Sequence, residues 1–468
     1  MASSATGADT EPRIIPRPEH NVSRARISNN ALKVLYRLRD AGYQAFLVGG
    51  GVRDLMLGRE PKDFDIATDA HPEDVRRLFR NCRLIGRRFR LAHVYFGRDI
   101  VEVATFRASE DDLDADEEAL LLKDEEGRIL RDNRYGNIED DIWRRDFTAN
   151  ALYYNIADFS IWDYAGGVDD IRAGLLRLIG DPEARYREDP VRLLRAVRFA
   201  AKLGFRVEAA SEAPLRPLAP LLESVPPARL FDEVLKLFLG GHAVPSYELL
   251  RRYGHFAQLF PAVDALLDSE GAEPYRALLL ETLENTDQRV AEDEPVTPVF
   301  LFCALLWGPV QHRARQLEAK GESPIQALLL AADEVGDRQQ RHVAVPRRIT
   351  TPMKEMMVMQ LRLQKTRGRR VLGMLGRPRF RAAYDLLCLR ARVGDADPAL
   401  AEFWTRLQTM DEAERATAVE AGGRRAAARD ADKAELAEAS GAVEGERAPG
   451  KRRRRRPRRR KPGGSGAS

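Results

Sequence analysis

The sequence predicts an α+β fold: a small β-sheet head, then an all-α neck, body and C-terminal region, then a disordered basic tail. Three observations carry this. Short apolar runs alternate with helical segments as far as Phe106, strand signals nearly vanish after Pro190 while helical periodicity takes over, and large apolar residues almost disappear after Leu436.

Residues 1–27 are polar, with Pro12, Pro16 and Pro18 breaking any helical period, and read as a flexible arm. The head spans 28–172. Ser28 is a helix cap, and Ala31, Leu32, Leu35 and Leu38 follow at helical spacing until Gly42. Ala45 to Val48 reads as a buried strand ending in three glycines, with a helix from Val52 to Leu57 close behind. Further strands are expected at Phe64–Ala67, Ala92–Phe96 and Ile100–Phe106, with a helix over Pro72–Phe79. The stretch Ser109 to Arg134 is acidic in its first half, from Asp111 to Glu118, and reads as a solvated, mobile loop with no site; the acidic insertion over 111–126 is given no role. Helical patterns then fill a neck (173–240), a body (241–345) and a further region (346–410), broken by turns near Pro226-Pro227, Pro245, Pro261, Pro309 and Pro346. The tail, 411–468, is rich in Ala, Glu and Arg and then in Gly and Ser, and is expected to be disordered. There is no internal repeat.

A chain of 468 residues with 44% hydrophobic content can build several cores. Cys82, Cys303 and Cys388 lie too far apart for a metal knuckle or a disulfide framework, and no segment offers the roughly 18 uninterrupted apolar residues of a membrane span. Those features argue against a secreted disulfide scaffold and an integral membrane protein, and they lead to a cytoplasmic expectation. The formal net charge is +4, yet 10 basic residues fall within the 11 positions 451–461; without them 66 basic residues face 72 acidic ones. The basic character is therefore a tail, suited to a polyanion.

The chemistry is concentrated in Gly49-Gly50-Gly51-Val52-Arg53-Asp54, followed by Asp63-Phe64-Asp65. Glycines between a strand and a helix N-terminus let backbone N–H groups approach a triphosphate, and Arg53 adds a charged fork for its oxygens. Alternation along a strand would send Asp63 and Asp65 to one face, where two carboxylates can hold hard divalent cations. Two such ions, about 3.5–4 Å apart, activate an attacking hydroxyl and neutralise leaving pyrophosphate. Either motif alone is weak, since turns use glycine and Asp-x-Asp is common in solvated turns; together, in this order, they point to nucleotidyl transfer. A third carboxylate is either Glu102, the one acid on an apolar strand, or Asp146. The plainer alternatives are that Glu102 pairs with Arg107 and that Asp146 caps a helix running through Asn150 and Leu152.

These motifs resemble the class II nucleotidyltransferase family, which contains bacterial poly(A) polymerases and CCA-adding tRNA nucleotidyltransferases. The resemblance implies that Gly49, Gly50, Arg53, Asp63 and Asp65 bind nucleotide and magnesium. It implies that Arg144 to Thr148, with Arg145 and the active-site acid Asp146, serves the ribose and phosphates, and that Asp163 to Asp170 is a hinge between head and neck. Glu188-Asp189-Pro-Val-Arg192-Leu-Leu-Arg195 resembles the family's base-reading motif, in which Asp189 and Arg192 address the Watson–Crick edge of the incoming base. Asp189 before Pro190 is also an ordinary helix start, and Arg192, Arg195 and Arg198 share one helix face as they would on a solvated helix.

Leu84-Ile-Gly-Arg-Arg-Phe-Arg-Leu-Ala-His-Val94 is similar to the signature of the poly(A) polymerase branch, although Arg87, Arg88 and Arg90 could simply flank a loop and His93 could be a hydrogen-bonded core histidine. Arg347-Arg348-Ile-Thr-Thr351 and Phe380 to Leu386 resemble the RNA-binding region, which places RNA contacts on Arg347 and Arg348 and extends the resemblance over most of Ile14 to Gln408. The implied activity is template-independent addition of AMP from ATP to RNA 3′ ends with release of pyrophosphate, in RNA polyadenylation and turnover. Magnesium is the implied metal, with manganese as a substitute. The implied partners are RNA 3′ ends, ATP, and RNA-turnover or RNA-chaperone proteins. The alternatives are a CCA-adding enzyme and a non-catalytic RNA-binding protein on the same fold. The tail residues Lys451, Arg452, Arg453, Arg454, Arg455, Arg456, Arg458, Arg459, Arg460 and Lys461 are read as a sequence-indifferent RNA contact, against the plainer reading of a solubilising tail.

Overall fold

The computed structural model describes residues 11–86, 90–108, 121–123, 129–132, 135–368, 370–417 and 419. The strands of its head are β1 (Arg13–Ile15), β2 (Ala45–Val48), β3 (Asp65–Thr68), β4 (Cys82–Ile85), β5 (Leu91–Phe96), β6 (Asp99–Thr105), the antiparallel pair β7 (Leu121–Lys123) and β8 (Ile129–Asp132), β9 (Leu152–Asn155) and β10 (Ile161–Asp163); two short parallel strands, Leu175–Leu176 and Arg206–Val207, pair beyond it. Eight of these form one mixed sheet in the order β1-β10-β9-β2-β3-β6-β5-β4, with β3 and β6 parallel and the other neighbours antiparallel. The head helices are α1 (Asn29–Asp40), α2 (Gly50–Met56), α3 (Pro72–Leu78), α4 (Ile138–Trp143) and α5 (Gly167–Ala173); α6 (Pro182–Glu188) and α7 (Val191–Leu203) open the helical part.

Strand alternation gives the sheet two differently covered faces. Ala45 and Leu47 of β2 pack with Ala31, Val34, Leu35 and Leu38 of α1, whose first turn is capped by Ser28 Oγ accepting from the Ala31 N–H at 3.1 Å. Phe46 and Val48 point the other way, into a smaller cluster with Ile138 and Ile142 of α4. That second face carries the candidate site. Beyond it, one helical core runs unbroken from Phe147 to Leu389, and a separate cluster around Trp404 begins at Met359 and takes in Val419. Packing therefore does not break at residue 346; the helix Arg347–Leu363 contributes Ile349, Met353, Met356 and Met357 to the main core.

Several expectations are corrected. The arm over 1–27 is not loose throughout: Arg13–Ile15 is the edge strand of the sheet, and Val22 and Ile27 are buried in the head. Prolines flank that strand rather than interrupt it, which an edge strand tolerates. Of the acidic stretch, Leu121–Lys123 and Ile129–Asp132 pair as antiparallel strands, while 109–120, 124–128 and 133–134, including most of the acidic insertion, lie outside the described residues. No helix runs from Asp146 through Asn150 and Leu152: a short 3-10 turn at Thr148–Asn150 leads into strand β9. The tail segment starts as a helical turn, with Asp411 and Glu414 each bonded to the other's backbone N–H and Val419 buried. Lys451 to Lys461 lie outside the described residues.

Pro309 ends no helix. It sits inside Pro298–Glu318, where the Leu305 carbonyl that the missing N–H would have served accepts instead from Tyr275 Oη at 2.5 Å. Gly308 makes room for that ring, since a Cβ there would come within 2.6 Å of it.

Candidate active site

Register across the sheet builds the site. Tyr153 of β9, Val48 of β2, Asp65 of β3, Glu102 of β6, His93 of β5 and Arg83 of β4 are successive cross-strand partners and form one row. Asp65 and Glu102 thus stand opposite each other on the parallel pair. Asp63 precedes the strand, so strand alternation does not carry it; the short loop still brings its charge to bear on Asp65. Burial, then the charges of Glu102 and Asp63, push the Asp65 carboxyl up to about 6, against smaller opposing effects of Arg145 and His93. Glu102 does not pair with Arg107 in this arrangement; His93 Nε2 lies 3.1 Å from its Oε2.

β2 ends at Gly49, whose φ of +69° and ψ of −137° only glycine adopts without strain. The chain then enters α2, which has no side-chain cap at its start. Arg53 was read from the sequence as a fork for phosphate oxygens, but its guanidinium is only 2% exposed and turned inward. It donates to Asp54 Oδ1 from Nε at 2.9 Å and from Nη2 at 2.7 Å, and to Asn150 Oδ1 from Nη1. A Cβ on Gly50 would lie 3.4 Å from Arg53 Nη2, so Arg53 forms the floor of the glycine turn.

Arg145 is gripped by Asp141 Oδ2, at 2.8 and 3.1 Å, and by Tyr153 Oη at 2.6 Å. Burial alone would raise the Asp141 carboxyl, but Arg145 and Arg107 hold it below the ordinary range. Asp146 caps nothing. Its Oδ1 accepts from the Phe147 N–H at 2.8 Å and from Asn150 Nδ2 at 3.2 Å, while its Oδ2 accepts from both Nε and Nη2 of Arg195. Burial pushes this carboxyl up, and Arg195 more than offsets it.

On the helical side, Asp189 receives both η nitrogens of Arg229, at 2.8 and 2.7 Å, and its Oδ1 accepts from the Val191 N–H at 3.3 Å. It closes α6, and Pro190 rather than Asp189 stands at the cap position of α7. Arg192 donates to Glu188 at 2.9 and 3.3 Å and to the Arg185 carbonyl at 2.8 Å. Arg195 and Arg198 face acids, Asp146 and Glu233, rather than open solvent.

Gly49, Gly50, Arg53, Asp63, Asp65, Glu102, Arg145, Asp146, Asp189 and Arg192 all line one cleft of about 900 Å³ between sheet and neck. Arg347 and Arg348 lie outside it, exposed at the start of their helix. Arg87 and Arg88 fall outside the described residues; Arg90 pairs with Glu73 at 2.6 Å. Sequence reasoning missed Lys62, Lys202, Asp141, Arg185, Arg229 and Trp143 on the cleft wall. Trp143, 46% exposed directly before Arg144, carried a signal as an aromatic beside a charged motif. Arg229, forty positions from Asp189, carried none.

A glycine turn and a row of carboxylates on a mixed sheet, facing an arginine-lined helical neck, define a nucleotidyltransferase. The family's sequence models match in three parts: "Poly A polymerase head domain" over residues 45–177, "Probable RNA and SrmB- binding site of polymerase A" over 204–267, and "Polymerase A arginine-rich C-terminus" over 320–461. The chain is 50% identical over 394 residues to Poly(A) polymerase I of Escherichia coli O6:H1, covering 84% of each chain. A CCA-adding enzyme of Leuconostoc mesenteroides is 38% identical over 223 residues, 48% of this chain and 53% of that one. Among solved structures, a tRNA-processing enzyme in an apo form shares the fold, with a TM-score of 0.55 at 21% identity over 83% of this chain and 99% of that one.

The chain belongs to the poly(A) polymerase family and is a polynucleotide adenylyltransferase. RNA and a nucleotide are its partners, and such enzymes use a divalent metal. Among the described residues no helix is long and apolar enough to cross a membrane.

Proposed function

We propose that this chain transfers AMP from ATP to an RNA 3′-hydroxyl without a template, in RNA polyadenylation and turnover. A bond forms between the 3′ oxygen and the α-phosphorus of ATP, the bond from that phosphorus to the bridging oxygen breaks, and pyrophosphate leaves. The observation that carries this reading is the Asp65–Glu102 register beside the Gly49–Gly51 turn, in a chain half identical to a Poly(A) polymerase I.

Asp63 and Asp65 hold magnesium, with manganese as a substitute. Magnesium binds through one or two carboxylates plus substrate phosphates, which fits two aspartates and an Asp65 carboxyl raised by burial and then by the negative charge of Glu102 and Asp63. When bound, the metal neutralises charge on the phosphates and lowers the pKa of the attacking hydroxyl. Glu102 completes the acidic row. Asp146 acts as a positioning residue, holding Arg195 and Asn150. Arg53 likewise braces the glycine turn and does not clamp phosphate, whereas Gly49 and Gly50 cradle the triphosphate and Arg145 stands beside them.

Asp189 and Arg192 select adenine, the carboxylate accepting from its exocyclic amine and the guanidinium donating to a ring nitrogen. Their present partners, Arg229 and Glu188, hold both side chains at the cleft wall. Arg347, Arg348 and the basic run Lys451 to Lys461 contact RNA, in a cytoplasmic setting with RNA-turnover or RNA-chaperone proteins as partners. Replacing Asp63 by Ala is expected to abolish ATP-dependent extension of an RNA oligonucleotide while circular dichroism and melting stay as in the parent; retained extension overturns the metal assignment.

A further inference from the structure

Tyr153 is fully buried and does not line the catalytic cleft, yet its hydroxyl is part of the cleft's wiring. It stands on β9 opposite Val48 of β2, in the same cross-strand row as Asp65 and Glu102. Its ring is wedged edge-on against Phe46, with centroids 5.9 Å apart, in the small cluster that also takes in Ile138 and Ile142 of α4. Asp141, on the same helix, is 5% exposed. Sheet packing therefore fixes the ring, and the ring brings its hydroxyl to one particular carboxylate.

That hydroxyl is used twice. Tyr153 Oη donates to Asp141 Oδ2 at 2.6 Å and accepts from Arg145 Nε at 2.6 Å, while Asp141 Oδ2 also accepts from Arg145 Nε at 3.1 Å and Nη2 at 2.8 Å. The Arg145 guanidinium carbon lies 4.8 Å from the Tyr153 ring centroid, so the ring limits where the planar group can swing. A guanidinium is a rigid fork, and holding it by the Nε and Nη2 edge leaves Nη1 on the other side. Nη1 has no hydrogen-bond partner among the described residues, and it lies 3.7 Å from where a Cβ on Gly49 would be. One nitrogen of a charged, oriented fork is thus left open at the glycine turn.

We infer that Tyr153 and Asp141 are positioning residues for nucleotide binding, which act through Arg145 by aiming its Nη1 at the phosphates of the incoming nucleotide. The inference rests on the reading of the Gly49–Gly51 turn as the triphosphate cradle, and it gives a role in substrate binding to a side chain that does not line the cleft. A phenylalanine at 153 keeps the ring and its packing but removes the hydroxyl that holds Nε, so the fork loses its aim and keeps its charge.

The test is a double-mutant cycle on the full chain with Tyr153→Phe, Arg145→Lys and the pair together. Arg145→Lys keeps a cation beside the buried Asp141, which protects the fold, but lacks the fork. The dissociation constant for ATP is measured by calorimetry with magnesium and no RNA, and KM for ATP and for an RNA oligonucleotide are measured alongside it. Tyr153→Phe is expected to weaken ATP binding about tenfold in the parent and less than about twofold in the Arg145→Lys background. KM for ATP should rise in parallel, with KM for the RNA unchanged. Asp141→Asn, which keeps an acceptor but loses the charge, should move ATP binding in the same direction. Unchanged ATP binding in Tyr153→Phe overturns the inference. So does an equal loss in both backgrounds, because Tyr153 would then act other than through Arg145, and so does a matching rise in KM for RNA, the mark of a general disturbance of the sheet. Melting of each variant checks folding. Calorimetry without RNA reads binding and no turnover, so failure of AMP transfer in the parent chain would count against the proposed activity and leave this positioning role standing.

Discussion

Asp65 and Glu102 face one another across the sheet's parallel strand pair, and burial together with the charge of Glu102 and then of Asp63 lifts the Asp65 carboxyl to about 6. A carboxyl whose folded pKa lies above its unfolded value loses stability as pH rises from the unfolded pKa through the folded one, so near pH 7.5 the full penalty is present in cation-free protein. Asp65→Asn should remove it. We expect the variant to be more stable than the parent by about 1–3 kcal/mol in chelator, yet less active by at least a factor on the order of 10²–10³. Magnesium should raise Tm for the parent more than for the variant. A variant less stable than the parent in chelator would contradict the charge crowding at this position.

Arg229 reaches Asp189 with both η nitrogens, a bidentate geometry that fixes the carboxylate plane as well as its position. Arg229→Ala should remove this clamp on the Asp189 carboxylate plane, lowering kcat/KM for ATP about tenfold, equivalent to ~1.4 kcal/mol, and narrowing the preference for ATP over CTP. Competition between labelled nucleotides on one RNA checks this; unchanged discrimination would remove Arg229 from base selection.

His255 is fully buried, its Nε2–H donating to the Leu215 carbonyl at 2.9 Å while its Nδ1 has no partner among the described residues. Burial lowers its pKa to about 4. The unfolded chain therefore takes up a proton between about pH 6.5 and 4 that the folded chain refuses, and stability falls as pH drops through that window. Between pH 7.5 and 5 this residue should cost about 2 kcal/mol. Urea denaturation of the parent and of His255→Gln at both values should show a smaller pH effect in the variant. Equal pH effects would show that His255 is not the group responsible.

Tyr275 and Pro309 should couple in a double-mutant cycle. Tyr275→Phe leaves the buried Leu305 carbonyl without its donor, at a cost of about 1–3 kcal/mol. In a Pro309→Ala background the helix supplies a backbone N–H to that carbonyl, and the same Tyr275→Phe change should then cost much less. Additive effects in chemical denaturation would contradict this relation.

The parts of the site that the sequence made legible are those whose chemistry is local. Gly49–Gly51 and the Asp63–Asp65 pair announce a turn and an acidic cluster through residue type alone, and Glu102 stands out as one acid among Val101, Val103 and Ala104. Where a long side chain ends up is a tertiary matter, so Arg53 was assigned to phosphate although it turns inward to Asp54 and Asn150. Pairing across distance was equally hidden: nothing near Asp189 points to Arg229. Among the elements, β9 was lost because Thr148 to Leu152 continues an apolar pattern that also fits a helix, and the strand is decided by β2 and β10 lying on either side of it. Pro309 was read as a stop because its compensating donor, Tyr275, lies on another helix.

The most direct test is incubation of the purified protein with magnesium, a labelled oligoribonucleotide unrelated to tRNA, and each nucleoside triphosphate in turn. Long homopolymeric extension with ATP alone is the expected result. No extension there, together with stepwise addition from CTP and ATP to a truncated tRNA, would contradict it and assign the cleft to CCA addition.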